Sequence, residues 1–259
     1  MGDVRGKVAI VTGGGLGIGA AISEVLAAAG AKVAIADINP ATAGAAIKRI
    51  ADAGNQAKIF QHDVTSWKSS FTLVGAVEKE FGPIDILVNN AGVTKWQPFV
   101  EITEADWDRV LDINLKGQFL AARAVVPGMV GRRRGRIINL GSVTSKKGYA
   151  NAIPYCISKF GVMGLTQGLA AELAPFDITV NTVCPGIVMT PLHDGLVEDM
   201  AAQRGVSFNQ AKDDFVSWVP LKRPQEPVDV ANMVAYLASD FGRNLTGATY
   251  HVDGGMVMD

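Results

Sequence analysis

The residues Val8–Ile22, with the sequence VAIVTGGGLGIGAAI, form the pattern on which the predicted fold depends. The first five are apolar or β-branched, which is typical of a strand buried on both faces of a parallel sheet. From Ile18 onward, apolar residues recur at helical spacing, so a helix begins within the glycines. The turn between strand and helix has almost no side chains, and a ligand can therefore approach its backbone closely.

A helix that begins in a glycine turn favours an anionic ligand, because its first N–H groups are unpaired and its N-terminal end carries partial positive charge. The next predicted strand ends in Asp37. This acid lies about 20 residues beyond the turn, where a carboxylate can accept a hydrogen bond from a ribose 2′-hydroxyl. No lysine or arginine occurs at the flanking positions 14, 15, 38 and 39. We therefore predict a dinucleotide site that prefers NAD to NADP.

Strands alternate with helices along the whole chain. The predicted strands are 8–12, 32–37, 57–64, 84–88, 136–140, 178–183 and 249–252. This alternation predicts a doubly wound, Rossmann-type α/β fold, with a seven-stranded parallel sheet and helices on both faces. No linker divides the chain, so residues 1–259 are expected to form a single domain. Residues 187–220 interrupt the alternation, and we interpret them as a lid over the substrate.

The composition excludes several classes of function. The chain has 259 residues, a net charge of −1 and a pI of about 6.3, which does not indicate binding to nucleic acid or to an anionic membrane. Its two cysteines cannot form a disulfide framework, and a cytoplasmic location is expected. The three histidines show no metal-ligand spacing to one another or to the cysteines, so no metal is predicted.

Tyr155 and Lys159 are four residues apart on the predicted helix 154–174 and share one face. A tyrosine is a poor base, because its ordinary pKa is about 10. A neighbouring ammonium group favours the phenolate and is expected to lower the pKa of Tyr155, and a positively charged nicotinamide would add to this. Ser142 follows the fifth predicted strand and can hydrogen-bond the same substrate oxygen. These residues fit proton transfer during the oxidation of an alcohol.

With these motifs, the sequence resembles the short-chain dehydrogenase/reductase family over essentially its whole length. The matching segments are Thr12–Gly19, which carries the family's glycine pattern, and Asn89–Gly92. The resemblance implies a catalytic tetrad of Asn114, Ser142, Tyr155 and Lys159. It also implies that Lys159 binds the nicotinamide ribose and that Asn114 helps to hold a water that relays protons. Considered by itself, Asn114 could equally bond to its own helix backbone at a kink.

The resemblance further implies that Pro185, Gly186 and Thr190 hold the nicotinamide carboxamide, and that Asp63 and Val64 contact the adenine. The residues expected to bind the cofactor are Gly13, Gly15, Leu16, Gly17, Ile18, Gly19, Asp37, Ile38, Asp63, Val64, Asn90, Ala91, Gly92, Tyr155, Lys159, Pro185, Gly186, Val188 and Thr190. Those expected to bind the substrate are Ser142, Thr144, Asn151, Ile153 and Tyr155. Trp96 is a further candidate for the pocket wall.

Three functions are compatible with these residues. The main prediction is an NAD-dependent oxidoreductase that interconverts a secondary alcohol and a ketone in a small polyol, vicinal diol, sugar or hydroxyketone. Residues 184–188 and 253–257 resemble acetoin, butanediol and sugar-alcohol dehydrogenases. The alternative is a 3-oxoacyl-[acyl-carrier-protein] reductase, but such enzymes usually favour NADPH and dock the acidic carrier with basic residues, where this chain has Pro127 and Ala171. A remote alternative is a non-catalytic NAD sensor. The family also implies a homotetramer.

Overall fold

The computed structural model of the protein describes residues 3–258. Seven parallel strands form one sheet in the spatial order β3-β2-β1-β4-β5-β6-β7. Their bounds are β1 Val8–Thr12, β2 Lys32–Asp37, β3 Ala57–Gln61, β4 Ile84–Asn89, β5 Gly135–Leu140, β6 Ile178–Pro185 and β7 Thr249–Val252. The predicted fold class is confirmed. The strand order reverses between β1 and β4, which is where sheets of this kind bind their ligands.

Nine α-helices connect the strands within this part of the chain. They are α1 Gly17–Ala28, α2 Gly44–Asp52, α3 Trp67–Phe81, α4 Glu104–Leu111, α5 Gly117–Arg132, α6 Ile153–Leu173, α7 Pro191–Arg204, α8 Phe208–Ser217 and α9 Pro227–Ala238. Local sequence explains several of the starts. At α4, for example, Thr103 and Asp106 form a reciprocal capping box that pairs two otherwise free N–H groups. None of these helices combines the length and the apolar character needed to cross a membrane.

The core has two layers, one on each face of the sheet. Successive strand residues point to opposite faces, so Val11 packs with α1 and α9 while its neighbour Ile10 packs with α3 and α5. Both faces are covered, which explains why the strands are continuously apolar. The side chains that can contact a ligand therefore lie mainly at the polar ends of the strands.

Two predicted elements differ from those observed. The third strand ends at Gln61 rather than at residue 64, because Asp63 accepts hydrogen bonds from the amide and the hydroxyl of Thr65 and forms a turn. The long helix predicted after Thr103 is interrupted between α4 and α5 by a π-helical turn at Asp112–Lys116. Such turns are rare and occur frequently at functional sites.

Residues 187–220 contain α7 and α8, which pack on each other around a small core of their own. The buried members of this core are Ile187, Val197, Ala201, Ala211, Phe215 and Val219. The segment is tied to the body at its start, where Val188 pairs with Gln225 as an isolated parallel bridge. It therefore has defined structure, and its role as a lid stays a prediction.

Candidate active site

A cavity of about 530 Å³ lies at the carboxyl edge of the sheet, between the glycine turn, the ends of β4, β5 and β6, and helices α7 and α8. Most of the residues predicted to bind a ligand line it. They are Gly13, Leu16, Gly17, Ile18, Gly19, Asn90, Ala91, Gly92, Ser142, Thr144, Tyr155, Lys159, Pro185, Gly186, Val188 and Thr190. The fold thus brings together residues that are up to 177 positions apart, from Gly13 to Thr190.

The glycine turn at one end of the cavity fits a dinucleotide diphosphate. Helix α1 begins at Gly17, and no side chain caps it, which leaves its first N–H groups available to an anion. Gly13 and Gly17 have φ values of 61° and 53°, in the left-handed region that favours glycine. A Cβ at Gly19 would collide with the carbonyl oxygen of Gly13 and lie 2.5 Å from Nδ2 of Asn90. The helix can therefore approach the turn only because residue 19 is glycine.

Asn90 clamps the glycine turn to the end of β4. Its Nδ2 donates to the carbonyl oxygens of Thr12 and Gly13, at 3.0 and 2.9 Å. In return, the Thr12 hydroxyl accepts hydrogen bonds from the backbone amides of Asn90 and Ala91, at 3.0 and 3.2 Å. The two motifs singled out in the sequence are consequently one hydrogen-bonded unit in the structure.

Asp37 lies at the end of β2, beside the glycine turn. Its carboxylate accepts hydrogen bonds from the amides of Gly15 and Asn39, at 3.3 and 3.1 Å. Five of the residues expected to bind the cofactor do not line the cavity but follow this side of the sheet: Gly15, Asp37, Ile38, Asp63 and Val64. This position, next to the turn and at the ends of β2 and β3, fits the adenosine half of a dinucleotide.

Three members of the predicted tetrad meet on the floor of the cavity. Ser142 follows β5 and hydrogen-bonds the phenol of Tyr155, in the first turn of α6. One turn later, Nζ of Lys159 donates to the carbonyl oxygen of Leu140 at 2.8 Å and lies 5.7 Å from the centre of the Tyr155 ring. The side chain of Lys159 is buried, so its charge acts at short range in a medium of low polarity.

Burial sets the ionisation of this pair. It raises the pKa of Tyr155 to about 12, against an opposing effect of the Ser142 hydrogen bond, and it lowers the pKa of Lys159 to about 8. The sequence predicts a lowered pKa for Tyr155, whereas in the cofactor-free protein burial of the phenol is the largest effect and the pKa is raised. At neutral pH the tyrosine is therefore a protonated phenol.

Asn114 occupies the π-helical turn between α4 and α5. Its Oδ1 accepts from the amide of Val93 at 2.8 Å, and its Nδ2 donates to Val93 O at 2.9 Å and to Ser158 Oγ at 3.1 Å. A Cβ at Gly92 would lie 3.3 Å from Asn114 Oδ1 and 3.8 Å from Lys159 Nζ, so both residues border this glycine. None of these three hydrogen bonds goes to the backbone of the helix that carries Asn114. Instead it joins the loop after β4 to α6.

The structure adds a group of side chains to the site, of which sequence reasoning assigned only Trp96 to the pocket wall. We call it the aromatic cluster; its members are Trp96, Tyr149, His193, Phe215 and Trp218, and all line the cavity. The rings of Tyr149 and Trp218 stack 6.4 Å apart, and those of Phe215 and Trp218 lie at 4.9 Å. The spacing of Phe215 and Trp218 weakly indicates that the two side chains share one face of a helix. It does not show which surface that face covers.

Two residues expected to bind the substrate lie elsewhere. Asn151 is exposed, has a φ of 64°, and uses its carbonyl oxygen to accept a hydrogen bond from the amide of Gln97 at 2.8 Å. Ile153 begins α6, and neither residue lines the cavity. The expected pair of Thr144 and Asn151, which was to bind a second hydroxyl of a diol, is therefore not formed, because the loop before α6 turns Asn151 toward solvent.

The fold and this arrangement define an oxidoreductase with a nicotinamide cofactor. A family model described as enoyl-(acyl carrier protein) reductase matches residues 14–257. The chain belongs to the short-chain dehydrogenase/reductase family. No cluster of three or more histidine, cysteine, aspartate or glutamate side chains that could hold a metal ion occurs within residues 3–258.

Three relatives illustrate the similarity. The 3-oxoacyl-[acyl-carrier-protein] reductase FabG of Vibrio cholerae is 40% identical over 257 residues, covering 99% of each chain. The enzyme of the same name from Escherichia coli is 38% identical, also with 99% of each chain covered. Among solved structures, the crystal structure of levodione reductase has a TM-score of 0.93 at 31% identity and covers 97% of each chain.

The close contact at Gly19 predicts the effect of adding a single methyl group at this position. Gly19→Ala should raise the dissociation constant of NADH by at least about tenfold, because the new Cβ pushes α1 away from the turn that would hold the diphosphate. Gly44→Ala is the matched control: Gly44 also begins a helix, but a Cβ there meets nothing within 4 Å. Fluorescence titration with NADH measures both. Equal affinities in the two variants would contradict the proposed cradle.

Proposed function

We propose that the protein is an NADH-dependent reductase of ketones of the 3-oxoacyl class. The observation that carries this proposal is the cavity with aromatic and aliphatic walls, at whose floor Tyr155 is hydrogen-bonded to Ser142. A protonated phenol suits the reduction of a ketone, in which the carbonyl oxygen must gain a proton. The names of the bacterial relatives support the same substrate class.

The character of the cavity walls argues against the small polyol predicted from the sequence. A polyol needs several hydrogen-bonding groups around the reacting carbon, whereas the walls added by α7 and α8 consist largely of Leu192, Leu196, Phe215 and Trp218. Apolar walls favour an acyl chain, because burying its methylene groups stabilises the complex by about 0.8 kcal/mol each. Relatives named for 3-oxoacyl reduction agree with this change of substrate.

The surface favours a substrate of low molecular weight over one attached to a carrier protein. Pro127 on α5 and Ala171 on α6, the positions at which related enzymes were expected to carry basic residues, are both exposed and uncharged. An acidic carrier protein would find no charge at these positions to guide its approach. We therefore propose a low-molecular-weight thioester as the substrate rather than an acylated carrier protein.

In the proposed mechanism, the nicotinamide cofactor, when bound, supplies the hydride that reaches the carbonyl carbon. Tyr155 gives its phenolic proton to the carbonyl oxygen, while the Ser142 hydroxyl donates a hydrogen bond that keeps this oxygen in place. The neighbouring Lys159 ammonium group stabilises the resulting phenolate. Asn114 has its amide committed to Val93 and Ser158, so we assign it a positioning role for Lys159 and the loop. Helices α7 and α8 cover the cavity and exclude water.

The residues present also fit the cofactor that the family implies. The glycine turn and the N-terminus of α1 would hold the diphosphate, and Asp37 the adenosine ribose. Pro185, Gly186 and Thr190 would lie at the nicotinamide end, where they line the cavity near Tyr155 and Lys159.

The substrate class is tested with two ketones and one variant. We expect NADH-dependent kcat/KM to be at least about tenfold higher for an acetoacetyl thioester than for acetoin, since the larger thioester buries more apolar surface against the cavity walls. Tyr155→Phe should lower the rate by at least about 100-fold and leave NADH affinity unchanged, because only the proton donor is removed.

The same assay separates the alternatives. A preference for acetoin would support the hydroxyketone substrate predicted from the sequence. More than a tenth of the activity remaining in Tyr155→Phe would exclude Tyr155 as the acid. Tight NADH binding without turnover of any ketone would favour a non-catalytic NAD-binding protein.

Asp37 predicts a strong preference for NADH over NADPH. A 2′-phosphate beside this carboxylate would place like charges about 4 Å apart, which costs on the order of 4 kcal/mol at an intermediate dielectric. We expect kcat/KM to favour NADH by at least about 100-fold, and Asp37→Asn to reduce this preference at least about tenfold by removing the charge while keeping the shape. Equal kcat/KM values for the two cofactors in the wild-type protein would refute the assignment.

The raised pKa of Tyr155 predicts a spectroscopic result. Because the pKa is about 12, the phenol stays protonated below about pH 10, and its phenolate forms only above that range. The absorbance of ionised tyrosine near 295 nm should therefore be the same in wild-type and Tyr155→Phe protein between pH 7 and about pH 10. An extra ionisation in the wild type near neutral pH would show that burial does not control this residue.

Exposed apolar side chains on opposite sides of the sheet support a homotetramer. On the side of α4–α6 they are Trp107, Phe119, Ile157 and Phe160, and on the side of α9 they are Val228, Tyr236 and Phe241. Two separate apolar faces allow two different twofold contacts, which together generate a tetramer. Sedimentation should give four times the chain mass of 27.3 kDa, and Tyr236→Asp should yield a dimer. A monomeric wild-type protein at micromolar concentration would contradict this assembly.

A further inference from the structure

The residues that follow β7 form a short loop that reaches the cavity and that the proposed mechanism does not use. We call residues 253–258 the β7 loop. One of its members, Met256, lines the cavity and is partly exposed. Met256 also packs against the core that α7 and α8 share. The wall around the substrate therefore includes a flexible, apolar side chain that belongs neither to the sheet edge nor to these two helices.

The β7 loop contacts both ends of the segment that contains α7 and α8. At the start of that segment, a Cβ at Gly186 would lie 2.8 Å from Cα of Asp253, so the two backbones are in close contact. Just beyond its end, the amide of Leu221 donates to the carbonyl oxygen of Gly254 at 3.2 Å. Met256 is thus held in the region where the end of β6 and the end of α8 meet.

A buried carboxylate fixes the shape of the loop. Asp253 is only 5% exposed, and its carboxylate oxygens accept hydrogen bonds from the amides of Gly255 and Val257, at 2.8 and 2.9 Å. These two residues precede and follow Met256 in the chain. The carboxylate therefore fixes the backbone that carries the Met256 side chain, which by itself has several rotatable bonds and adapts easily to its surroundings.

The neighbours of Met256 place it beside the substrate part of the cavity. Gly186, which the loop contacts, lines the nicotinamide end of the proposed site. Phe215, in the core against which Met256 packs, belongs to the aromatic cluster. The cavity of about 530 Å³ has to hold the nicotinamide end of the cofactor as well as the substrate. Space beside Met256 is therefore limited, and a long acyl chain competes with its side chain for that space.

We propose that Met256 limits the length of the acyl chain that the cavity accepts, and that Asp253 positions it for this role. This inference rests on the proposed function, because it concerns the 3-oxoacyl group of that substrate. The unbranched Met256 side chain fills space next to the apolar walls and excludes methylene groups beyond those of a short acyl chain. Met256 then determines specificity and Asp253 is a positioning residue that acts through it. Neither takes part in proton transfer.

Chain-length selectivity tests this role directly. The substrates are the S-acetoacetyl and S-(3-oxooctanoyl) thioesters of N-acetylcysteamine, which differ only in the length of the acyl chain. The quantity measured is the chain-length ratio, which is kcat/KM for the longer thioester divided by kcat/KM for the shorter one, with NADH. Met256→Ala should raise this ratio at least about tenfold, because the removed side-chain atoms leave room to bury about two more methylene groups.

Two further variants separate space filling from a loosened fold. Met258→Ala removes the same atoms from the same loop, but Met258 is 79% exposed and does not line the cavity. It should leave the chain-length ratio within about twofold of the wild type. Met256→Phe enlarges the side chain and should lower the ratio at least about threefold, through a loss on the longer thioester. A loosened loop would affect both substrates alike and would not give opposite shifts for a smaller and a larger residue.

Melting temperatures of the variants identify any that fail to fold. If Met256→Ala does not fold, Met256→Phe still tests the proposal, since the two variants change the volume in opposite directions and each has its own expected shift. An unchanged chain-length ratio in whichever of them folds would refute the role of Met256.

A double-mutant cycle tests the role of Asp253. Asp253→Asn keeps the size of the side chain but replaces one accepting oxygen with a donor, so one of the two loop amides loses its partner. The substitution should raise the chain-length ratio at least about threefold in the wild type. In the Met256→Ala background it should change the ratio less than about twofold, because its effect passes through Met256. Equal effects in the two backgrounds would refute the positioning role.

A binding measurement provides a readout without turnover. A 3-hydroxyacyl thioester and NADH form an unreactive complex, because both molecules are already reduced. Calorimetry should show the S-(3-hydroxyoctanoyl) thioester of N-acetylcysteamine binding at least about tenfold more tightly to Met256→Ala than to the wild type, with unchanged binding of NADH itself. Weaker NADH binding together with an unchanged chain-length ratio would assign Met256 to the cofactor and overturn the proposal.

The outcomes distinguish this proposal from the function on which it rests. If the wild type reduces both thioesters and the Met256 variants keep its chain-length ratio, the role of Met256 is refuted and the reductase assignment stands. If the wild type reduces neither thioester with NADH, the proposed function is refuted and the inference falls with it.

Discussion

The close approach of α1 to the glycine turn is the contact on which the rest of the site depends. It requires residue 19 to lack a side chain, and the Asn90 amide holds the turn from the other side through two carbonyl oxygens. Because β1 and β4 are neighbours at the point where strand order reverses, this one clamp places the free N-terminus of a helix beside the mouth of the cavity. The ends of β5 and β6 then add Ser142, Pro185 and Gly186 to the same edge of the sheet.

Burial determines how the catalytic groups behave. The same low-polarity surroundings that raise the pKa of Tyr155 lower that of Lys159, so the pair consists of a protonated acid beside a cation that is close to losing its charge. The expectation from the sequence was the opposite for the tyrosine, since spacing shows that a lysine is near but not how much water is excluded.

The walls of the cavity are the basis for proposing a substrate different from the one first expected. Helices α7 and α8 fold over the sheet edge around a core of their own and, with Trp218 after α8, add three of the five members of the aromatic cluster to the cavity. The reacting groups at the floor suit any secondary alcohol or ketone, and the walls decide which one enters. The apolar residues that α7 and α8 add to these walls are the reason for proposing a 3-oxoacyl thioester.

The sequence alone determined the fold class and the order of its strands and helices, and it predicted Ser142, Tyr155, Lys159 and the glycine turn as parts of the site. These depend on local patterns: apolar periodicity, glycines at fixed spacing, and Tyr155 and Lys159 on one helix face. Only the tertiary structure decided the pKa of Tyr155, the exposure of Asn151, the π-helical position of Asn114 and the place of Met256 in the cavity. Each of these depends on which surfaces meet after folding, and contacts between distant segments leave no periodic signal in the chain.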